Sequence, residues 1–161
     1  MTKRWVLKQN VDPKKVKELS ESLNINKTLA KLLVQRNIHT FDEARNFFRP
    51  SLEQLHDPFL MKDMEKAVSR IDEAIKNKEK ILIYGDYDVD GTTAVALVYT
   101  FFKDFHDQIG FYIPDRYSEG YGISYKSIDF AAENNYKLVI ALDCGIKAVE
   151  KVEYARKHGI D

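Results

Sequence analysis

Three aspartates stand within five residues in the run Gly85-Asp86-Tyr87-Asp88-Val89-Asp90-Gly91, directly after the apolar stretch Ile81-Leu82-Ile83-Tyr84. Two further apolar stretches also end near aspartate, Asp115 in Pro114-Asp115-Arg116 and Asp143 in Asp143-Cys144-Gly145. Carboxylates gathered in one place repel unless cations sit among them. Oxygen donors select hard divalent ions, so Mg²⁺ or Mn²⁺ is the expected occupant. Gly85, Gly91 and Gly145 let the backbone approach such a site closely.

Each aspartate also has a purely structural reading. Asp143 fits the cap of a following helix, Asp115 a turn residue paired with Arg116, and Asp86 a hydrogen bond within its own turn. Three acids in five residues after a buried strand are harder to absorb in that way. Two rival motifs can be weighed. The pattern Asp86-x-Asp88-x-Asp90-Gly91 copies half of a calcium-binding EF-hand loop, but its twelfth position is Leu97 instead of Glu and a strand precedes it. The run Asp88-Val89-Asp90-Gly91-Thr92 copies the nucleophile signature of haloacid-dehalogenase-like phosphatases. There the first aspartate ends the strand directly, whereas Gly85-Asp86-Tyr87 intervenes here, which weakens that rival without removing it. His39, His56, His106 and His158 lie on or beside predicted helices and read as surface residues, and Cys144 reads as a small packing residue.

The elements that must position these residues follow from hydrophobic periodicity. Residues 1–60 read as a small helical segment. Asp12-Pro13 caps a helix with Val16, Leu19 and Leu23 inward. A second helix runs from Lys27 to near Asn37 with Leu29, Leu32 and Leu33 inward, and Thr40 caps a third from Phe41 to Phe48. A longer helix spans Met64 to Asn77 with Ala67, Val68, Ile71, Ala74 and Ile75 on one face. From Lys80 the pattern alternates: strand 81–84, helix 92–105, strand 110–113, a helix capped by Ser124 and running to 134, strand 138–142, helix 147–158. This grammar predicts an α/β domain over 61–161, a parallel sheet with flanking helices and right-handed crossovers. Ligands of such sheets lie off the carboxyl ends of the strands, where the aspartates stand. Gly159-Ile160-Asp161 reads as the opening of a fourth strand, as if the chain were truncated.

Composition narrows the class. The 161 residues carry 25 basic and 25 acidic side chains, 44% hydrophobic residues and one cysteine. This describes a globular chain without a disulfide framework, expected in the cytoplasm. The longest uncharged stretch, Gly91 to Phe102, is short of the ~20 residues of a membrane span, and the N-terminus lacks the apolar core of a secretory leader. Residues 1–50 hold 11 of the basic but only 5 of the acidic residues. That gradient suits either a polyanion binder or ordinary solvated helices.

Three blocks resemble a known family. Ile83-Tyr84-Gly85-Asp86-Tyr87-Asp88-Val89-Asp90-Gly91-Thr92-Thr93 is similar to the first motif of RecJ-type single-stranded-DNA-specific exonucleases, within the DHH phosphoesterase superfamily. Ile113 to Gly122 resembles their second block and Leu142-Asp143-Cys144-Gly145-Ile146 their third, in the same order and spacing. The resemblance covers nearly the whole chain and implies 5′-to-3′ phosphodiester hydrolysis in single-stranded DNA during recombination and repair. It implies Asp88, Asp90 and Asp143 as metal ligands, with Asp143 bridging two divalent cations (Mn²⁺ or Mg²⁺), and Asp86 as an acidic catalytic-site residue that positions water or other ligands. It further implies Arg116, Gly120, Tyr121 and Gly122 near the substrate phosphate. Two such ions clamp the scissile phosphate, activate water and stabilise the leaving oxygen, and Arg116 adds bidentate phosphate recognition.

The implied partners are single-stranded DNA and, among proteins, a repair helicase or a single-strand-binding protein, with no membrane. The Asp-His-His block itself is expected just beyond Asp161. The 161 residues alone are therefore expected to be inactive or nearly so. Two alternatives stay open: a family member acting on short oligonucleotides or cyclic dinucleotides, and a non-catalytic nucleic-acid-binding short form using residues 1–50.

Overall fold

The computed structural model describes Arg4, Val6 and residues 11–161. The reading of residues 1–10 as lacking a leader lies outside the described residues, Arg4 and Val6 apart. The chain divides into two compact units, Met1–Pro58 and Phe59–Asp161. No described helix is long and apolar enough to cross a membrane.

In the first unit, Asp12 caps α1 (Pro13–Leu23) by accepting the Lys14 amide, with Pro13 at the first helical position. Asn26 caps α2 (Lys27–Val34) through the Leu29 amide. A reciprocal Thr40–Glu43 capping box starts α3 (Phe41–Phe48). Leu19, Ala30, Leu33, Val34, Ile38 and Ala44 form the core. The face expected for α2 is corrected. Leu33 is inward, but Leu29 and Leu32 are exposed, because the buried stripe runs through Ala30, Leu33 and Val34. α2 also stops at Val34, three residues short of Asn37, whose positive φ of 62° belongs to a turn.

The second unit opens with α4 (Met64–Lys76), of which Ala74 is buried and Ile71 and Ile75 pack on the core. Ala67 and Val68 are exposed, against expectation, since only the carboxyl-terminal half of α4 packs on that core. Then follow β1 (Lys80–Gly85), α5 (Val89–Lys103), β2 (Ile109–Tyr112), α6 (Tyr125–Glu133), β3 (Tyr136–Leu142) and α7 (Val149–Lys157). The strands form a parallel sheet of order β2-β1-β3, as the alternating pattern requires.

Strand β1 is central and buried on both faces, which explains its unbroken apolar run. Ile81 and Ile83 pack with Val95 and Phe102 of α5 and Ala74 of α4. Leu82, on the opposite face, packs with Ile128 and Ala131 of α6 and with Ile160. The crossover after β1 thus covers one face and the crossover into β3 the other. The chain reverses its winding between β1 and β3, the place where open parallel sheets leave a crevice.

Two helix starts and one histidine differ from the sequence expectation. α5 begins at Val89 rather than Thr92, so Asp88 is its N-cap and Asp90 lies in its first turn. α7 begins at Val149, and its N-cap Ala148 makes no side-chain cap bond, so Asp143 does not cap it. His106 is not a surface residue. It is buried after α5, with its ring Nε2 2.9 Å from the Glu79 carbonyl oxygen. Beyond α7, Gly159 takes a positive φ of 70° and the Ile160 amide donates to the Ala155 carbonyl, a Schellman closure. Asp161 then lies alongside β3, its amide donating to Lys137 O at 3.0 Å and its carbonyl accepting from Val139 N at 2.8 Å.

The first turn of α5 sits directly on the end of β1 because two glycines meet there. A Cβ on Gly91 would lie 2.5 Å from the Asp86 carbonyl oxygen and 2.6 Å from its nitrogen. In an ordinary helix, Gly→Ala stabilises by ~1 kcal/mol. Gly91→Ala is expected to do the reverse, costing about 1–3 kcal/mol through overpacking against backbone. Urea denaturation checks the sign, and a stabilised variant would refute the close approach.

Candidate functional site

At the carboxyl end of β1, Asp86 has no exposed surface. Its Oδ1 accepts the Tyr87 amide at 2.8 Å and its Oδ2 accepts the Gly122 amide at 2.8 Å. The Tyr84 hydroxyl donates to the Gly122 carbonyl oxygen at 2.7 Å. The end of β1 therefore grips both polar groups of one residue in the 113–124 loop. Gly120 and Gly122 both take positive φ, 81° and 84°, which lets the loop turn back on β1 at that point.

Asp88 is held at both oxygens. Oδ1 accepts the Gly91 amide at 2.9 Å as the helix cap, and Oδ2 accepts the Tyr121 hydroxyl at 3.0 Å. Those bonds, the Gly91 amide foremost, hold its carboxyl below the usual range. Asp90 is exposed in the first turn of α5, where the helix dipole favours an acid. Asp143 is exposed at the end of β3 with a φ of 56°, an uncommon backbone state for a residue with a side chain. Two neighbours register the combined field. Tyr121 is pushed up to about 12, first by its bond to Asp88, with Asp86 and Asp143 adding to it. Cys144 is pushed up to about 11, by burial first and then by Asp86, Asp143 and Asp88. The thiol stays protonated at neutral pH, in keeping with a packing role.

The structure thus brings Asp86, Asp88 and Asp143 into one field, with Asp90 beside them on α5. Carboxylate oxygens are the donor chemistry a hard divalent cation takes. Among the described residues, however, no three acidic, histidine or cysteine side chains already form a group able to hold a metal ion.

Arg116 lies with its guanidinium 4.5 Å from the centroid of the Tyr87 ring and makes no ion pair with Asp115. Asp115 is a turn residue, its Oδ1 accepting the Tyr117 amide, the Ser118 amide and the Ser118 hydroxyl. Two residues that hold this region were not marked by sequence reasoning. The carboxylate of Glu119 accepts the Asp115 amide at 2.9 Å, the Ser124 hydroxyl at 2.6 Å and the Tyr112 hydroxyl at 3.0 Å. Tyr84 had a usable signal, since a phenol inside a buried strand must find a hydrogen-bond partner. Glu119 had none, its partners coming from a strand, a turn and a helix cap.

The N-terminal domain of the DHH family matches residues 80–161, just over half of the chain. The chain belongs to the DHH family. It is 41% identical over 158 residues to the single-stranded-DNA-specific exonuclease RecJ of Bacillus subtilis, covering 98% of this chain and 20% of that protein. It is 30% identical over 144 residues to RecJ of Dickeya dadantii, covering 89% of this chain and 24% of that one. Among solved structures, a manganese-bound exonuclease RecJ superposes with a TM-score of 0.57 at 27% identity, over 63% of this chain and 26% of that one. RecJ of Thermus thermophilus in complex with Mn²⁺ superposes with a TM-score of 0.66 over 94% of this chain and 20% of that one. At 20% identity this likeness speaks for the fold alone. The chain spans about a fifth to a quarter of the length of these relatives.

Glu119 makes the site region acid-sensitive. Burial raises its pKa, but the Asp115 amide and the Ser124 and Tyr112 hydroxyls outweigh burial and leave it below 4.5. A carboxyl depressed in the folded state stabilises above its unfolded pKa and loses that contribution as pH falls through the folded value. Stability should therefore fall on acidification below pH 4.5, and Glu119→Gln should flatten that part of the profile. Thermal melts from about pH 6 to about pH 3 check this, and an unchanged slope would count against the assignment.

Proposed function

We propose that this chain supplies the amino-terminal part of the catalytic centre of a 5′-to-3′ single-stranded-DNA exonuclease of recombination and repair, acting in the cytoplasm. The observation that carries the reading is the gathering of Asp86, Asp88 and Asp143 at the β1–β3 crevice, in a chain of the DHH family. The Bacillus and Dickeya relatives are single-stranded-DNA-specific exonucleases, and the two solved ones carry manganese.

In this reading Asp88, Asp90 and Asp143 hold two divalent cations, Mn²⁺ or Mg²⁺. Bound there, such ions polarise the scissile phosphate and make water nucleophilic at neutral pH. The chain's own residues do the rest. Asp88 is pre-oriented by the Gly91 amide and the Tyr121 hydroxyl. Asp86, its oxygens already committed, acts as a positioning residue that fixes the Gly120-Tyr121-Gly122 loop. Arg116 makes no hydrogen bond or ion pair among the described residues, so its donors are free to bind a substrate phosphate in bidentate fashion. A repair helicase or a single-strand-binding protein would deliver the DNA end.

Manganese titration by electron paramagnetic resonance tests the ligand assignment. Asp143→Asn and Asp90→Asn should each weaken Mn²⁺ binding by at least ~10–100-fold, since even the outer partners of metal ligands are worth that much. Unaltered Mn²⁺ affinity in both variants would sink the assignment. The 161 residues by themselves should leave 5′-labelled single-stranded DNA essentially intact with Mn²⁺, because they span only 20% of the length of the Bacillus exonuclease they match. Robust metal-dependent degradation by this chain would overturn that expectation.

A further inference from the structure

We propose that Tyr87 is a positioning residue for phosphate recognition, holding the Arg116 guanidinium flat against its ring so that the in-plane N–H fork is presented to the substrate. The inference rests on the reading of Arg116 as the phosphate-binding group and adds a residue that reading does not include.

Arg116 is exposed, and a long exposed arginine ordinarily samples many rotamers. Here its guanidinium carbon sits 4.5 Å from the Tyr87 ring centroid, well inside cation–π range. A guanidinium stacked by its face keeps its edge donors available, and these are the donors that match a phosphate. The platform itself is fixed from two sides. The Tyr87 amide is bonded to buried Asp86, and the Tyr87 ring meets Tyr121 edge-on at 5.7 Å and 86°. Tyr121 is in turn anchored to Asp88 through its hydroxyl. Arg116 is thereby registered to the same two aspartates that define the carboxyl end of β1. The Tyr87 hydroxyl makes no hydrogen bond among the described residues, so the ring, and not the phenol, carries the role.

The test uses the 161-residue chain with Mg²⁺ present and a 5′-phosphorylated oligothymidylate as probe, titrated at low salt by fluorescence anisotropy. Tyr87→Phe should bind as the parent does. Tyr87→Leu should bind about 3- to 30-fold more weakly, the range a stacked cation contributes. In an Arg116→Ala background, Tyr87→Leu should add almost nothing, since a residue acting through Arg116 has no effect without it. NMR supplies a readout that loss of stability would not mimic. The Arg116 side-chain protons should be ring-current shifted in the parent and in Tyr87→Phe, and unshifted in a folded Tyr87→Leu.

If Tyr87→Leu weakens binding equally with and without Arg116, the ring contacts DNA directly and the positioning role is wrong. If Arg116→Ala weakens binding but Tyr87→Leu does not, the positioning role fails while the phosphate reading stands. Should neither variant matter, or the parent chain not bind the probe, the phosphate reading of Arg116 falls and the inference falls with it.

Discussion

Asp86 is a carboxylate with no contact with water, and removing such a group from solvent is costly unless its oxygens are satisfied. Both are satisfied by backbone amides, one from Tyr87 and one from Gly122, thirty-six residues along the chain. Gly122 is held a second time through its carbonyl by Tyr84. These bonds join the first and second sequence blocks. Through them Tyr121 reaches Asp88, and Arg116 comes over Tyr87. An unpartnered Asp86 could not stay buried, and the loop carrying Arg116 and Tyr121 would lose its tie to β1.

The second constraint is topological. With the order β2-β1-β3, α5 covers one face of the sheet and α6 covers the other. The loops after β1 and β3 therefore part from each other, leaving a crevice lined by their first residues. Asp143 stands at one side with a positive φ, and Asp88 and Asp90 stand at the other on the start of α5. The hydrogen bond to Asp88 foremost, with the charges of Asp86 and Asp143, raises the proton affinity of Tyr121, and the charges of Asp86, Asp143 and Asp88 add to burial in raising that of Cys144. A field of that sign attracts cations and repels a DNA backbone, so in the proposed activity a cation must stand between protein and phosphate.

Glu119 organises the other rim. Three donors from three different elements meet on one carboxylate, which fixes the loop between β2 and α6 without regular secondary structure. Asp115, which on paper invited a salt bridge with its neighbour, instead ties its own turn through Ser118. That leaves the Arg116 guanidinium without an ion pair and over the Tyr87 ring.

Much of this was readable from residue types alone, for identifiable reasons. The apolar run of β1 and the strand–helix alternation dictate a parallel sheet, because only such a sheet buries a strand on both faces between crossovers. The caps at Asp12, Thr40 and Ser124 are local hydrogen-bonding chemistry and lie where the side chains suggested. The aspartates at the strand ends had to fall on one rim for the same topological reason. The sequence could not decide what depends on distant partners. α5 starts early because Gly85 and Gly91 pack together, a contact between two elements. His106 is buried because Glu79 supplies an acceptor on another segment. Leu29 and Leu32 are exposed because small Ala30 shares the buried stripe with Leu33 and Val34. Asp86, Asp88 and Asp90 look alike on the page, one every second residue. Folding alone separates them into a buried clamp, a helix cap and an exposed acid, because the loop between β2 and α6 brings the Gly122 amide to Asp86 and the Tyr121 hydroxyl to Asp88 and leaves Asp90 exposed in the first turn of α5.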